Sequence, residues 1–420
     1  MTSVQTVLAS FAIILIDLFG RAVLDKTLAL TGGPAVVAQW AQLQSVLEVI
    51  SGVAIAGVMQ GLTVLVTQVR EQRDERNLLQ SALKVGLWTS LAVAMMVVLA
   101  TPALASWRSW KQIEPSLIVL AACAGCITVI PAALNAYWLG KHQQRRMLRL
   151  ALLVGTIWLM VAVGAWQGLS LRGLILVQCS MLSIIGSMLW RYMRKLTQVG
   201  DRRDGGAAYF SKLLKFVPVG LAIGIMSPAS MLVMRGMLSD MLSWEDVGFM
   251  QALWRSTEWV TATAAGVLSL VFLPRLSSAY GSMRFKTEIN FAGVAVLVPA
   301  ACLLFLVYFN QRVMLATLYN ARFTVSNETA ALFMSGCWVR IASWLFLYGL
   351  FATHRTWAII VGEVLSLPLF VLMLWLFSSG MTLERMALLY LVSYLVYLGF
   401  NAIALLYSLR IGLPTADCNR

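Results

Sequence analysis

The chain has 420 residues, 60% of them hydrophobic and only 12% charged, with a mean hydropathy of +0.80, which excludes an ordinary soluble domain. A formal net charge of +14 would fit a nucleic-acid binder if the Lys and Arg residues formed one face. They gather instead in short loops between apolar runs, so the expected partner is membrane lipid and no nucleic acid.

Apolar runs of about 20 residues, enough at roughly 1.5 Å per residue to cross a hydrocarbon core of about 30 Å, recur about twelve times. Backbone amides in lipid must be satisfied within the segment, and these runs lack the alternation of barrel strands, so the expected fold is all-α and polytopic. In the first half the predicted spans are Val4–Leu24, Pro34–Val69, Leu78–Leu104, Pro115–Leu139, Leu150–Trp166 and Gly173–Trp190. In the second half they are Leu213–Gly236, Val247–Leu273, Ile289–Phe309, Thr329–Phe351, Trp357–Phe377 and Met386–Leu409. The first run carries Asp17 and has no basic residue before Arg21, so no cleavable signal peptide is expected there.

Alternate loops hold 20 Lys and Arg residues against about nine in the others, which predicts both termini in the cytoplasm. The longest basic connection divides the chain into a bundle over 1–190, a linker over 191–212, a second bundle over 213–409 and a tail over 410–420. Two six-helix, pseudo-symmetric halves suggest a transporter with its substrate path between them.

The second and eighth spans are long and polar. At about 100° per residue, Gln42, Ser45, Gly52, Ala56 and Gln60 share an arc of roughly 80°, with Glu48 about 40° beyond it. Gln251, Arg255, Glu258, Ala262, Ala265 and Ser269 share a similar arc in the eighth span. A charged residue at a helix centre costs roughly 2.5 to 3.5 kcal/mol on insertion scales, so Asp17, Glu48, Arg255, Glu258, Arg340 and Glu363 are candidate functional groups. Asp17, Arg21 and Asp25 could neutralise one another along one helix, as could Arg255 and Glu258. Lys84 and Arg235 lie near span ends and could snorkel to the surface. Arg340 has no acid at i±3 or i±4, so an anion from elsewhere in the protein or from the substrate is expected to answer it.

No phosphate-binding loop and no Ser/His/Asp set is present, and the only histidines are His142 and His354. Neither a cofactor nor catalysis is expected. Gly57/Gly61, Gly164/Gly168 and Gly220/Gly224 form GxxxG pairs that predict close helix packing. The CAGC at Cys123–Cys126 lies on an apolar helix without further ligands and is read as packing.

The stretches "GPAVVAQWAQLQSVLEVISGVAIAGVMQGLTVLVTQ", "VGFMQALWRSTEWV" with "FLPRLS", "LYNARF" and "WVRIASWLFLYG", together with Glu363, resemble the Wzx-type flippases of lipid-linked oligosaccharides. The resemblance implies the twelve-helix fold of the multidrug/oligosaccharidyl-lipid/polysaccharide exporter superfamily. It also implies movement of an undecaprenyl-diphosphate-linked oligosaccharide, of the O-antigen or enterobacterial common antigen type, across the bacterial inner membrane. Gln42, Gln44, Gln60, Arg235, Gln251, Arg255, Glu258, Arg340 and Glu363 match polar positions typical of that family.

On this reading Arg255 and Arg340, with Arg235 and Lys84 behind them, bind the diphosphate. Gln42, Gln44, Gln60 and Gln251 serve the glycan, and Glu48, Glu258, Glu363 and Asp17 are coupling or cavity acids. Polysaccharide polymerase and chain-length regulator proteins would be partners. Val64, Met250 and Cys337 depart from the family pattern and alter the expected cavity. A cation-exporting drug antiporter of the same superfamily is the alternative. A peptidoglycan lipid flippase would usually have fourteen helices, and a membrane glycosyltransferase would need a large loop with catalytic carboxylates.

Overall fold

The computed structural model describes every residue except 1–2, 70, 107–113, 142, 198–205, 283, 354 and 413–420. The centre of the basic linker and most of the tail therefore lie outside the described residues. Among the described residues, twelve long helical rods account for most of the chain. They are α1 (Ser3–Thr31), α2 (Gly33–Gln68), α3 (Gln72–Ser106), α4 (Pro115–Gly140), α5 (Gln144–Trp166) and α6 (Leu171–Thr197). They continue as α7 (Val217–Met241), α8 (Trp244–Val267, extended through Ala279), α9 (Arg284–Phe309), α10 (Asn327–Ala352), α11 (Thr356–Val364 and Leu367–Leu376) and α12 (Leu383–Gly412). Short helices occupy Gly206–Leu214 and Gln311–Leu318.

Among the described residues, nine of these rods are apolar and long enough to cross a membrane. The other three, α1, α7 and α8, are equally long. Asp17 and Arg21 interrupt α1, while Glu245, Asp246, Arg255 and Glu258 lower the hydropathy of α8. The protein is thus a polytopic helical membrane protein, and two of its rods, α1 and α8, carry charges singled out above.

Four rods are irregular at identifiable places. In α2 a π-helical turn occupies Ala54–Met59, and in α8 another occupies Leu268–Phe272, 21 and 24 residues from their respective starts. Such turns insert one residue into the hydrogen-bond ladder and often mark functional sites. α4 breaks at Thr128 and α11 at Leu365–Ser366. Pro131 and Pro368 explain both breaks, because each lacks the N–H that would bond the carbonyl four residues earlier, at Ile127 and Val364. The hydroxyls of Thr128 and Ser366 donate back to the carbonyls of Gly125 and Glu363, at 2.6 Å each.

The chain divides into two compact units, one up to Asp240 and one from Met241. This division falls after α7, so α7, which the count of spans assigns to a second bundle, packs with the first six rods. In the unit from Met241, Leu276, Phe285, Leu347, Leu350, Ile359 and Leu405 form a buried apolar core that joins α8, α9, α10, α11 and α12. Of the GxxxG glycines, Gly168 has a positive φ of 78° and ends α5 in a turn. Its lack of a side chain serves backbone conformation rather than helix contact.

Candidate functional site

In the first unit, α1, α2, α4, α5 and α6 enclose a cavity of about 350 Å³ lined by Asp17, Arg21, Gln44, Glu48 and Asn135, among others. Arg21 is its charged centre. Its Nε lies 2.9 Å from Asp17 and its Nη1 lies 3.6 Å from Glu48, so one cation answers acids on two helices. The guanidinium sits 5.0 Å over the ring of Trp158, whose Nε1–H donates to Asp17 at 2.9 Å. Arg21 thus takes Asp17 from its own helix, as the expected ladder along α1 has it, and adds Glu48 from α2. Formally this triad carries one net negative charge.

The glutamines of α2 have separate tasks. Gln44 is buried and exchanges two hydrogen bonds with Gln178 of α6, at 2.9 and 3.2 Å, at the cavity wall. Gln42, also buried, donates to the carbonyl of Leu232 on α7 at 2.9 Å, while Gln60 is exposed. Lys84 is exposed. Arg235 does not snorkel: it is 4% exposed and donates to the Ala41 carbonyl at 3.2 Å and to Ser45 Oγ at 2.6 Å. A buried guanidinium presents five donors, and those that reach Ser45 and the α2 backbone replace the water it has lost.

The second unit holds a different constellation. Ser243 caps the start of α8 by accepting from the amide of Asp246 at 3.1 Å, which positions the first turn. Three turns on, Arg255 and Glu258 form a close ion pair on one face, with Gln251 buried one turn before them. Arg340 of α10 is half-buried, and among the described residues it makes no ion pair. Its guanidinium instead lies 4.7 Å from the ring of Trp344 and 5.7 Å from those of Trp254 and Tyr394. Ring quadrupoles stabilise a cation at this range by about 0.5 to 2 kcal/mol each, without neutralising it. Among the described residues no protein anion reaches ion-pair distance, and aromatic faces take its place.

Behind that cage runs a buried aromatic column. Phe333 stacks on Tyr390 at 4.8 Å between centroids, Tyr390 meets Tyr394 at 4.8 Å, and Tyr394 meets Tyr397 at 5.9 Å. Tyr397 donates to Glu363 Oε1 at 3.3 Å, so the column ends on the acid just before the break in α11. Cys337 packs beneath, its sulfur 3.5 Å from Thr257 Oγ1. Sequence reasoning missed Trp158, Gln178 and Asn135 in the first unit and the aromatic partners of Arg340 in the second. The α12 tyrosines were readable, since 390, 394 and 397 recur at i, i+4 and i+7, one face of a helix. Trp158 carried no local signal, because its partner Asp17 lies 141 residues away in the chain.

The chain as a whole is similar to solved structures. A multidrug resistance transporter of the MATE family of the MOP superfamily, in an inward-facing conformation, superposes with a TM-score of 0.71 at 10% identity over 96% of each chain. The chain shares the fold of that transporter.

The lipid II flippase MurJ, in an inward closed conformation, shares this fold with a TM-score of 0.65 at 13% identity, over 97% of this chain and 89% of that one. By sequence the chain is 24% identical over 384 residues to the lipid III flippase of Escherichia coli (strain K12), which covers 89% of this chain and 90% of the relative. The lipid III flippase of Shigella flexneri matches to the same extent. No protein-family model matches the chain.

Proposed function

We propose that this protein is a flippase of the bacterial inner membrane that moves a polyprenyl-diphosphate-linked oligosaccharide from the cytoplasmic to the periplasmic leaflet. The observation that carries the reading is Arg340, a half-buried membrane-domain cation framed by three aromatic rings and left without an ion pair among the described residues. A diphosphate must surrender hydration to enter such a site, and a guanidinium returns two directed, charge-assisted hydrogen bonds. The aromatic faces hold Arg340 in place without consuming its charge, which leaves the cation to an incoming anion. The sequence likeness to lipid III flippases over nearly the whole chain supports the same substrate class.

Arg255 is the second diphosphate group, held at rest by Glu258 and released to the substrate. Gln251, and the polar lining of the first-unit cavity, offer hydrogen bonds to sugar hydroxyls. The polyprenyl tail stays in lipid while the two halves, with both termini in the cytoplasm, alternate access. Asp17, Glu48, Glu258 and Glu363 are the acids available for ion coupling. Polysaccharide polymerase and chain-length regulator proteins would take the product onward, and no chemical step on the glycan falls to this chain.

The test is to delete the gene and identify by mass spectrometry the lipid that accumulates. A polyprenyl-diphosphate glycan should build up and clear on complementation. If none builds up and sensitivity to cationic drugs rises instead, the antiporter reading replaces this one.

A further inference from the structure

At one end of the first unit, cations gather without carboxylates to neutralise them. Lys141 follows α4, Arg145, Arg146 and Arg149 open α5, and Arg191 and Arg194 lie in the last two turns of α6. None of these three rods contains an Asp or Glu anywhere along its length. Glu75 of α3 reaches this end, but it is held by Lys141 and by the Tyr137 hydroxyl at 3.0 Å. Arg145, Arg149 and Arg191 are exposed and, among the described residues, form no ion pair. The neighbouring loop over 70–77 differs, since it sets Glu71, Asp74 and Glu75 against its three arginines.

Aromatic residues tie the arginines of α5 to those of α6. Arg146 donates to the Tyr192 hydroxyl at 3.3 Å, and the Tyr192 ring meets that of Trp138 at 6.1 Å between centroids. Arg194 lies over the Trp190 ring at 5.5 Å. Trp and Tyr settle at the headgroup level of a bilayer, so these guanidinium groups stand at the depth of lipid phosphates. One face of α5 runs from Arg145 and Arg149 to Leu152, and one face of α6 runs from Arg191 to Met188 and Ile184. All six residues are exposed, so each cationic surface continues into apolar surface.

The turn between α4 and α5 also holds polar atoms that lack partners. The start of α5 has no side-chain cap, and its first turn carries arginines where the helix dipole favours anions. Trp138 Nε1 and the amide oxygens of Gln143 and Gln144 are buried with no hydrogen-bond partner among the described residues. Trp138 is 6% exposed and Gln144 4%, so bulk water does not answer them. The chemistry that answers the whole set is a phosphodiester, which accepts from the indole N–H and the guanidinium groups, joined to a glycerol whose hydroxyls donate to the amide oxygens.

We propose that the α4–α5 turn and the end of α6 form a binding site for an anionic glycerophospholipid of the phosphatidylglycerol type. Its phosphate bridges the arginines of the two rods, its headgroup glycerol meets Gln143 and Gln144, and its acyl chains descend along Leu152, Met188 and Ile184. A lipid fits better than a soluble phosphate because both arginine faces run on into apolar surface. None of these arginines lines the first-unit cavity, so the site is separate from that cavity and does not rest on what the protein carries.

The test is native mass spectrometry of the purified full-length protein titrated with phosphatidylglycerol or phosphatidylcholine. The site predicts that phosphatidylglycerol is retained several-fold more than phosphatidylcholine. Arg146→Gln with Arg191→Gln should lower that retention several-fold, whereas Arg284→Gln with Lys286→Gln, the same loss of charge at two exposed positions that open α9, should leave it unchanged. If the arginine double variant folds poorly, Trp138→Phe, which keeps the ring and deletes the buried donor, should give a smaller loss in the same direction. Equal losses in the two double variants would mean diffuse attraction to net charge and would overturn the site. Displacement of the retained lipid by inorganic phosphate would identify a soluble anion as the occupant, and displacement by undecaprenyl diphosphate would identify the transported lipid; either result overturns the proposal.

Discussion

Arg340 and Arg21 show two ways of keeping a guanidinium in a membrane domain. Arg21 is paired with carboxylates on two helices, so its charge is spent inside the protein. Arg340 is framed by rings, and on the proposed function its charge is what an incoming ligand would meet. Arg340→Lys should therefore lose most transport at equal protein level, because an ammonium offers neither a planar face to three rings nor a bidentate fork. Complementation of the deletion strain measures this, and full activity in the Lys form would contradict the assigned role. For Arg255, whose partner Glu258 is one turn away, Arg255→Ala should likewise leave the lipid-linked glycan uncleared.

A stability prediction belongs at the same scale. Trp158→Phe keeps an aromatic ring but deletes the donor to Asp17, and should lower stability by about 1 kcal/mol in a thermal or denaturant melt. The charges themselves were legible in the sequence, since each interrupts an apolar run. Their partners were not, because Asp17–Trp158 and Arg340–Tyr394 join residues on separate helices, and a helical wheel describes only one helix at a time.

Among elements, the predicted spans lie close to the observed rods: Pro34–Val69 corresponds to Gly33–Gln68, and the rod over Pro115–Leu139 ends one residue later. Their interruptions were harder to read. Pro131 and Pro368 mark the breaks in α4 and α11, but nothing in the residue pattern announced the π-turns of α2 and α8. The two turns lie at similar depth in the second and eighth rods.

Ser243→Ala removes the cap of α8 and should cost about 1 kcal/mol of stability without altering which lipid is moved. Gly336→Leu should be worse, typically about 1–3 kcal/mol, since even a Cβ there would come within 2.5 Å of the Tyr390 ring. It should also loosen the aromatic column that backs Arg340, so transport should fall with it. Unaltered melting of either variant would show that these contacts do not hold the second unit together.

For the whole molecule, the all-α polytopic class and the rod count followed from composition and hydropathy, and the likeness to a solved polytopic transporter agrees with the class. The two compact units divide after α7, a boundary that counting spans does not give. The central claim is that this fold, with an unneutralised Arg340, carries a lipid-linked diphosphate glycan across the bilayer. The most direct measurement places the purified protein in vesicles that contain undecaprenyl-diphosphate-linked saccharide and follows the lipid's exposure to a membrane-impermeant enzyme. Rapid exposure of the lipid in the inner leaflet, abolished by Arg340→Ala, is the predicted result. Exposure no faster than in protein-free vesicles would contradict it.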